Sequence, residues 1–319
     1  MVIIQLAGGL GNQMFQYALY LQLKSLGKDI RIDDVSGFVE DGQRVLALDP
    51  FGAGYERATR EELRKMLDSS PSLHARIRRK LCGRKKKAYF EADKRYHPEI
   101  MEWDDIYLEG YWQTEKYFQM VEEQVREVFD VDRLLRWIEG RAPGDRITGN
   151  AGPDNDHDEQ KTMGRWLERI DTTESVSVHI RRGDYLLPEN QALFGEICTE
   201  DYYRAAMDRM HREHPGCIFY LFTNDKQWAR QWTGDKEPVH IIEIQDVSDF
   251  GMDRDYAEFV LMSKCKHHIL ANSSFSWWAS YLNKNPGKSV FAPDRWLNGW
   301  DCEDIYRADM KKIVTVGLN

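Results

Sequence analysis

"VIIQLAGGLGNQMFQYALYLQLKSLG" occupies residues 2–27, and the fold turns on how it is read. Val2–Leu6 is a short apolar run of strand type, and the glycine-rich "AGGLGNQ" that follows is a turn. "MFQYALYLQLKSLG" reads as a helix stopped by Gly27, and Ile30–Asp33 as the next strand. Strand, turn, helix and strand in this order start a βαβ unit, which favours a parallel sheet with helices on its faces. The rhythm returns after residue 174. "SVSVHI", "CIFYLF", "VHIIEI", "HHILA" and "SVFA" read as strands, with helical segments between them such as "TEDYYRAAMDRMHREH" and "RDYAEFVLMSKC". That alternation implies a doubly wound sheet, whose ligands bind outside the carboxyl ends of the strands. The first half is less regular. "TREELRKMLDS" carries Thr59 and Glu62 at capping-box spacing. "EKYFQMVEEQVREVFDVD" reads as one amphipathic helix on the spacing of Phe118, Val121, Val125 and Val128.

The expected architecture is therefore α/β with two Rossmann-like domains and an interdomain cleft. Residues 1–165 form the first domain and 166–319 the second. "GRAPGDRITGNAGPDNDHDEQK" (140–161), rich in Gly, Pro, Asn and Asp, is expected to be a flexible loop or linker. Its "DNDHDE" begins like a calcium loop, but Glu159 stands where the sharp turn needs Gly and Arg165 where the bidentate Glu belongs.

Composition narrows the function. The chain has 319 residues and a net charge of −9, which argues against a general nucleic-acid binder. Its five cysteines are scattered without a C-x-x-C spacing, which fits free thiols in a reducing compartment better than a disulfide framework or a zinc site. The first lysine is Lys24 and no long apolar run precedes it, so neither a signal peptide nor a membrane span is read, and a cytoplasmic location is expected. One block departs from the acidic balance. "RIRRKLCGRKKK" (76–87) is strongly cationic. It reads as a solvated helix end with its loop, or else as peripheral contact with anionic lipid headgroups or a lipid-linked acceptor at the inner face of the membrane.

Polar clusters recur where strands end. Gly9-Leu10-Gly11 supplies a partial dinucleotide fingerprint, but Met14 occupies the third glycine position, and Asp33 and Asp34 come as a pair at the next strand. Glycines there still let a ligand approach a helix N-terminus, and Asn12 and Gln13 offer uncharged groups suited to sugar hydroxyls. "HIRRGDY" (179–185) is richer. An arginine fork binds phosphate oxygens in bidentate fashion, so Arg181 and Arg182 suit a diphosphate, with Gly183 turning the backbone beside it. Arg181 and His179 share one pleat face and Arg182 takes the other. A structural alternative is an ion pair of Arg182 with Asp184. Thr223, Asn224 and Asp225 end another strand, as ligand contacts or as a cap on the helix around Trp228. Asn272, Ser273 and Ser274 precede a further helix and, with its free N–H groups, make an anion site. Trp277 and Trp278 read as core. Asp253-Arg254-Asp255 has the D-x-D form that some transferases use to hold a divalent ion, but acidic residues are expected in the first turn of a helix. Two arginines would make a metal dispensable, so none is expected.

"GGLGNQMFQYA" (8–18), "HIRRGDY" (179–185), "FTND" (222–225) and "ILANSSFSWWASYLN" (269–283), in this order, resemble the bacterial α-1,2-fucosyltransferases of glycosyltransferase family 11. The resemblance implies a GT-B-like fold and metal-independent, inverting transfer of L-fucose from GDP-L-fucose to the 2-hydroxyl of a terminal β-galactoside, either a free oligosaccharide or a lipid-linked glycan. It implies that Arg181 grips the donor diphosphate with His179 beside it, that Asn272, Ser273, Ser274 and Phe275 form the nucleotide and phosphate loop, and that Gly9, Gly11, Asn12 and Gln13 face the cleft. Glu258 stands where the family usually has Asp, a position used on the guanine edge. Asp184 and Glu189 are the candidate bases. Other readings are a transferase with another GDP-sugar, an NAD-dependent oxidoreductase built on the first βαβ unit, and a non-catalytic glycan-binding module.

Overall fold

The computed structural model describes residues 1–39, 44–69, 72–82, 85–140, 162–234, 238–245, 247 and 252–314. The linker stretch at 141–161 and its calcium-like segment lie outside the described residues. The chain divides into two compact units, Met1–Val128 with Glu303–Tyr306, and Phe129–Cys302 with Arg307–Asn319.

The first unit opens with β1 (Val2–Ala7), α1 (Leu10–Ser25) and β2 (Ile30–Gly37), the βαβ start read from the sequence. Two further strands, β3 (Ala88–Phe90) and β4 (Ile106–Glu109), complete a parallel sheet of order β2-β1-β4-β3. β1 is therefore interior, and Ile3, Ile4 and Leu6 are fully buried. α2 (Arg60–Met66) has the expected capping box, with Thr59 and Glu62 satisfying each other's backbone N–H groups. α3 (Leu73–Cys82) carries the first part of the cationic block.

The segment at 115–132 differs from the single helix expected. It forms two 3-10 turns, Glu115–Tyr117 and Gln119–Val121, then α4 (Glu122–Val128) and α5 (Val131–Glu139). Phe118 adopts an extended φ of −142°, and the Asp130 carboxylate caps α5 by accepting the Arg133 N–H at 2.8 Å. Both interrupt a helix that the apolar spacing alone would continue. The unit boundary also falls at Val128, earlier than residue 165, because α5 is bound to the second unit. Asp130 and Asp132 pair with Lys284 and Lys264, and Trp137 packs edge-on against Tyr256.

The second unit comprises α6 (Met163–Thr172), β5 (Ser175–Ile180), α7 (Pro188–Phe194), α8 (Glu200–Glu213), β6 (Ile218–Thr223), α9 (Lys226–Thr233), β7 (Val239–Ile241), α10 (Asp253–Lys264), β8 (His267–Ile269), α11 (Ser274–Leu282), β9 (Val290–Pro293) and β10 (Met310–Ile313). The strands form one parallel sheet of order β10-β9-β8-β5-β6-β7. All six residues of β5 are buried, as befits an interior strand covered on both faces. Val176, Val178 and Ile180 join the cluster that includes Tyr202, Tyr203, Ala206 and Met210 of α8. Each such aliphatic side chain, fully buried, stabilises the fold by roughly 1.5–3 kcal/mol. Ser177 and His179 face the other way, towards the His268 ring nitrogen and the Phe275 ring respectively. Trp277 and Trp278 are core, as read, and the Arg307 guanidinium lies 4.6 Å from the Trp277 ring centroid.

Candidate active site

Parallel pairing aligns the carboxyl ends of β8, β5 and β6, with Val178 opposite both Leu221 and Ile269. Arg181, Arg182 and Gly183 follow β5, Asn224 and Asp225 follow β6, and Asn272 and Ser273 follow β8 shortly before α11. The fold thus collects three separate sequence clusters at one sheet edge.

The two arginines follow the last residue of β5, Ile180, in different surroundings. Arg182 is spent on protein groups. Its Nε donates to Asp225 Oδ2 at 3.4 Å, its guanidinium lies 4.2 Å from the Trp228 ring centroid, and its backbone N–H donates to Asn224 Oδ1 at 3.1 Å. Among the described residues its carboxylate partner is Asp225, while the side chain of Asp184, the partner weighed from the sequence, lies outside them. Asp225 also caps α9 by accepting the Trp228 N–H at 3.0 Å, so the cap and the ligand readings of that residue meet in one scaffold. A Cβ on Gly183 would stand 2.4 Å from Asn224 Nδ2, so a larger residue there would displace the Asn224 side chain. Arg181 is half-buried, with its guanidinium 5.8 Å from the Tyr185 ring centroid. Burial, with the Arg181 charge adding to it, pushes the imidazole of His179 down to about 3. The ring is therefore neutral near pH 7, and its buried Nδ1 has no hydrogen-bond partner among the described residues.

The β8–α11 corner separates buried scaffold from half-buried groups. Asn272 is buried, accepting the Cys198 thiol at 3.4 Å and donating to the Trp296 carbonyl at 3.1 Å. The sequence placed Asn272 among the ligand contacts, and the structure shows its amide committed to the fold. Ser273 Oγ accepts the Phe275 N–H at 3.3 Å, and Ser274 and Phe275 are half-buried at the helix start. Three tyrosines brace the edge, a role the sequence did not signal. Tyr202 donates to the Leu270 carbonyl at 2.6 Å, Tyr203 to His179 at 3.0 Å and Tyr185 to Asn272 at 3.0 Å. On α10, burial raises the carboxyl of Glu258 to about 7, with the nearby Lys226 at the start of α9 opposing the shift. The backbone of Asp184 lies in the 3-10 turn Gly183–Leu186 and that of Glu189 in the first turn of α7, while both side chains lie outside the described residues.

The glycine turn of the first unit is organised differently. Gly8 has φ +75°, and a Cβ there would meet Asn12 Nδ2 at 2.6 Å. Gly9 and Gly11 flank the start of α1. Gln13 is fully buried. Its amide donates to the Gly8 and Val45 carbonyls at 2.8 and 2.9 Å and accepts the Ala47 N–H at 2.8 Å. The expected role of Gln13 towards hydroxyl groups is thus replaced by a structural one. Asn12 is half-buried, and its Oδ1 accepts from Gln113 at 2.8 Å. Asp33 accepts the Val35 and Ser36 N–H groups and the Tyr107 hydroxyl. The acidic group that a dinucleotide would need for its ribose is therefore already satisfied, which counts against the oxidoreductase reading.

Asp253 and Asp255 stand in the first turn of α10, where the helix N-terminus favours acidic residues. Among the described residues, Glu174, His214 and His267 come close enough to share a cation. They lie at the amino ends of β5 and β8, away from the arginines. Moreover, His267 Nδ1 accepts the Ser289 N–H at 3.0 Å, so its Nε2 bears the proton and donates to Glu174 at 2.7 Å.

Residues 159–310 match glycosyl transferase family 11. Over 94% of this chain and 95% of its own length, an α-1,2-colitosyltransferase from Escherichia coli is 28% identical. The galactoside α-(1,2)-fucosyltransferase 1 of Homo sapiens is 26% identical over 55% of this chain and 42% of that protein. Among solved structures, the fucosyltransferase NodZ from Bradyrhizobium overlaps with a TM-score of 0.44 and 14% identity, covering 92% of this chain and 96% of that one. The chain is a glycosyltransferase built from two parallel-sheet α/β units. Over residues 159–310 it is similar to family 11, and its relatives include bacterial enzymes.

Proposed function

We propose that the protein transfers L-fucose from GDP-L-fucose to the 2-hydroxyl of a terminal β-galactoside, with inversion and without a metal ion. The observation that carries this reading is the β5 edge. Arg182 is locked to Asp225 and Trp228, and the Arg181 charge acts on His179, which packs against Phe275 at the start of α11. In this reading the Arg181 guanidinium, the Ser274 N–H and the hydroxyls of Ser273 and Ser274 receive the diphosphate. As the sugar–oxygen bond breaks, negative charge grows on the β-phosphate, and donors already in place stabilise it. A neutral His179 offers its unpartnered nitrogen as a hydrogen-bonding group and adds no charge. Glu258 accepts from the guanine edge. Asp184 or Glu189 takes the proton of the acceptor hydroxyl. Asn12, beside Gly9 and Gly11, is assigned to the acceptor side, and the reaction to the bacterial cytoplasm.

The test is an assay of the purified enzyme with GDP-fucose and a panel of β-galactosides, the linkage of the product being read by NMR. Fucose on the galactose 2-hydroxyl with inverted anomeric configuration is expected, in the presence of EDTA as in its absence. A product formed only from another GDP-sugar would replace the donor assignment. A colitosyl donor is the second candidate, because the Escherichia coli relative bears that name. Comparing pH–rate profiles of D184N and E189Q assigns the base, and full activity in both removes both candidates.

A further inference from the structure

We propose that α3 and the lysines following it dock the protein on an anionic lipid surface. Ile77 and Leu81, one helical turn apart, are 50% and 78% exposed. Helical spacing places Lys80 and Arg76 on one side of this apolar pair and Arg78 on the other. Arg78 anchors the helix by pairing with Asp68, whose other oxygen accepts the Lys85 backbone N–H at 2.9 Å. One carboxylate thus fixes both the helix and the start of the Lys85–Lys87 run. Lys85 and Lys86 are exposed, and the Lys86 ammonium lies 5.8 Å from the ring centroid of Phe90, itself 51% exposed.

Two large aliphatic groups bordered by cations, in a chain of net charge −9, are not explained by solubility. No described helix is long and apolar enough to cross a membrane. An amphipathic basic helix instead lies in the interface, its apolar face among the acyl chains and its cations on the phosphates. Each basic residue held near an anionic leaflet strengthens partitioning by roughly fivefold. This surface fits a bilayer rich in anionic phospholipid, and would hold the enzyme where lipid-linked acceptors reside.

The full chain is sedimented with vesicles of phosphatidylcholine, with and without phosphatidylglycerol. Partitioning is expected only into the anionic vesicles, and falling with salt. I77S/L81S and K85Q/K86Q should each weaken it by roughly tenfold or more, whereas K284Q, at an exposed lysine of the second unit, should not. All variants should keep their Tm and their turnover on a soluble acceptor. Equal binding to phosphatidylcholine alone, absence of binding, or binding unmoved by either double variant would overturn the proposal.

Discussion

The turn after β1 and the turn after β5 both set glycine beside polar side chains at the carboxyl edge of a parallel sheet, yet they are finished differently. In the first, the Gln13 amide is consumed by Gly8, Val45 and Ala47, and the neighbouring Gln16 donates to Gly110 and accepts from Ala7. In the second, Arg182 is bound to Asp225, while His179 keeps a buried ring nitrogen without a partner among the described residues. A glycine turn therefore identifies a close approach, and the satisfied or unsatisfied state of its polar neighbours identifies what approaches. In one case that is the chain itself. In the other the proposed occupant is a nucleotide diphosphate.

The sharpest break in this comparison is R181A. It should lower turnover by on the order of a hundredfold to a thousandfold with the fold intact, the cost of losing one preorganised donor. Near-normal kcat would remove Arg181 from the mechanism. Next comes Q13A, which should act on stability instead. Leaving the Ala47 N–H and two carbonyls without partners should cost about 2–3 kcal/mol in urea unfolding, while GDP affinity of the folded protein stays unchanged. A loss of nucleotide affinity would mean that the first turn also touches the donor. G183A tests the second turn sterically. Its Cβ would displace Asn224, which holds the Arg182 backbone, so kcat/KM should drop by roughly tenfold, with little change in Tm.

The smallest effect is a pH dependence. The Glu258 carboxyl is raised to about 7, above its ordinary value, so folding favours its protonated form. Its contribution to stability is complete below the ordinary carboxyl range and is lost as pH rises through about 7. Binding guanine donors requires the ionised form, so GDP affinity should run the opposite way and strengthen from pH 6 to 8. E258Q should flatten both slopes. A wild-type affinity independent of pH over that window would dissociate Glu258 from the base.

The second unit was largely legible because its strands recur between helices at regular spacing and end abruptly in charged, amide or hydroxyl residues. β5, β6 and β8 all follow this rule. β3 and β4 escaped notice because three and four residues carry too little periodicity. The break at Phe118 escaped because side-chain spacing says nothing about one residue's φ. Partnerships escaped for a different reason. Arg182 and Asp225 lie 43 positions apart, and Gln13 and Val45 lie 32 apart, so only the folded chain reveals which polar groups are already used.

An imidazole driven as far down as that of His179 stays neutral, with a single N–H, throughout the range around pH 7. The electrostatic grip proposed at this edge would then rest on guanidinium alone, whose charge does not vary with acidity. Mild acidification would accordingly leave diphosphate recognition untouched, and any slowing would be traced to carboxyl groups elsewhere in the reaction.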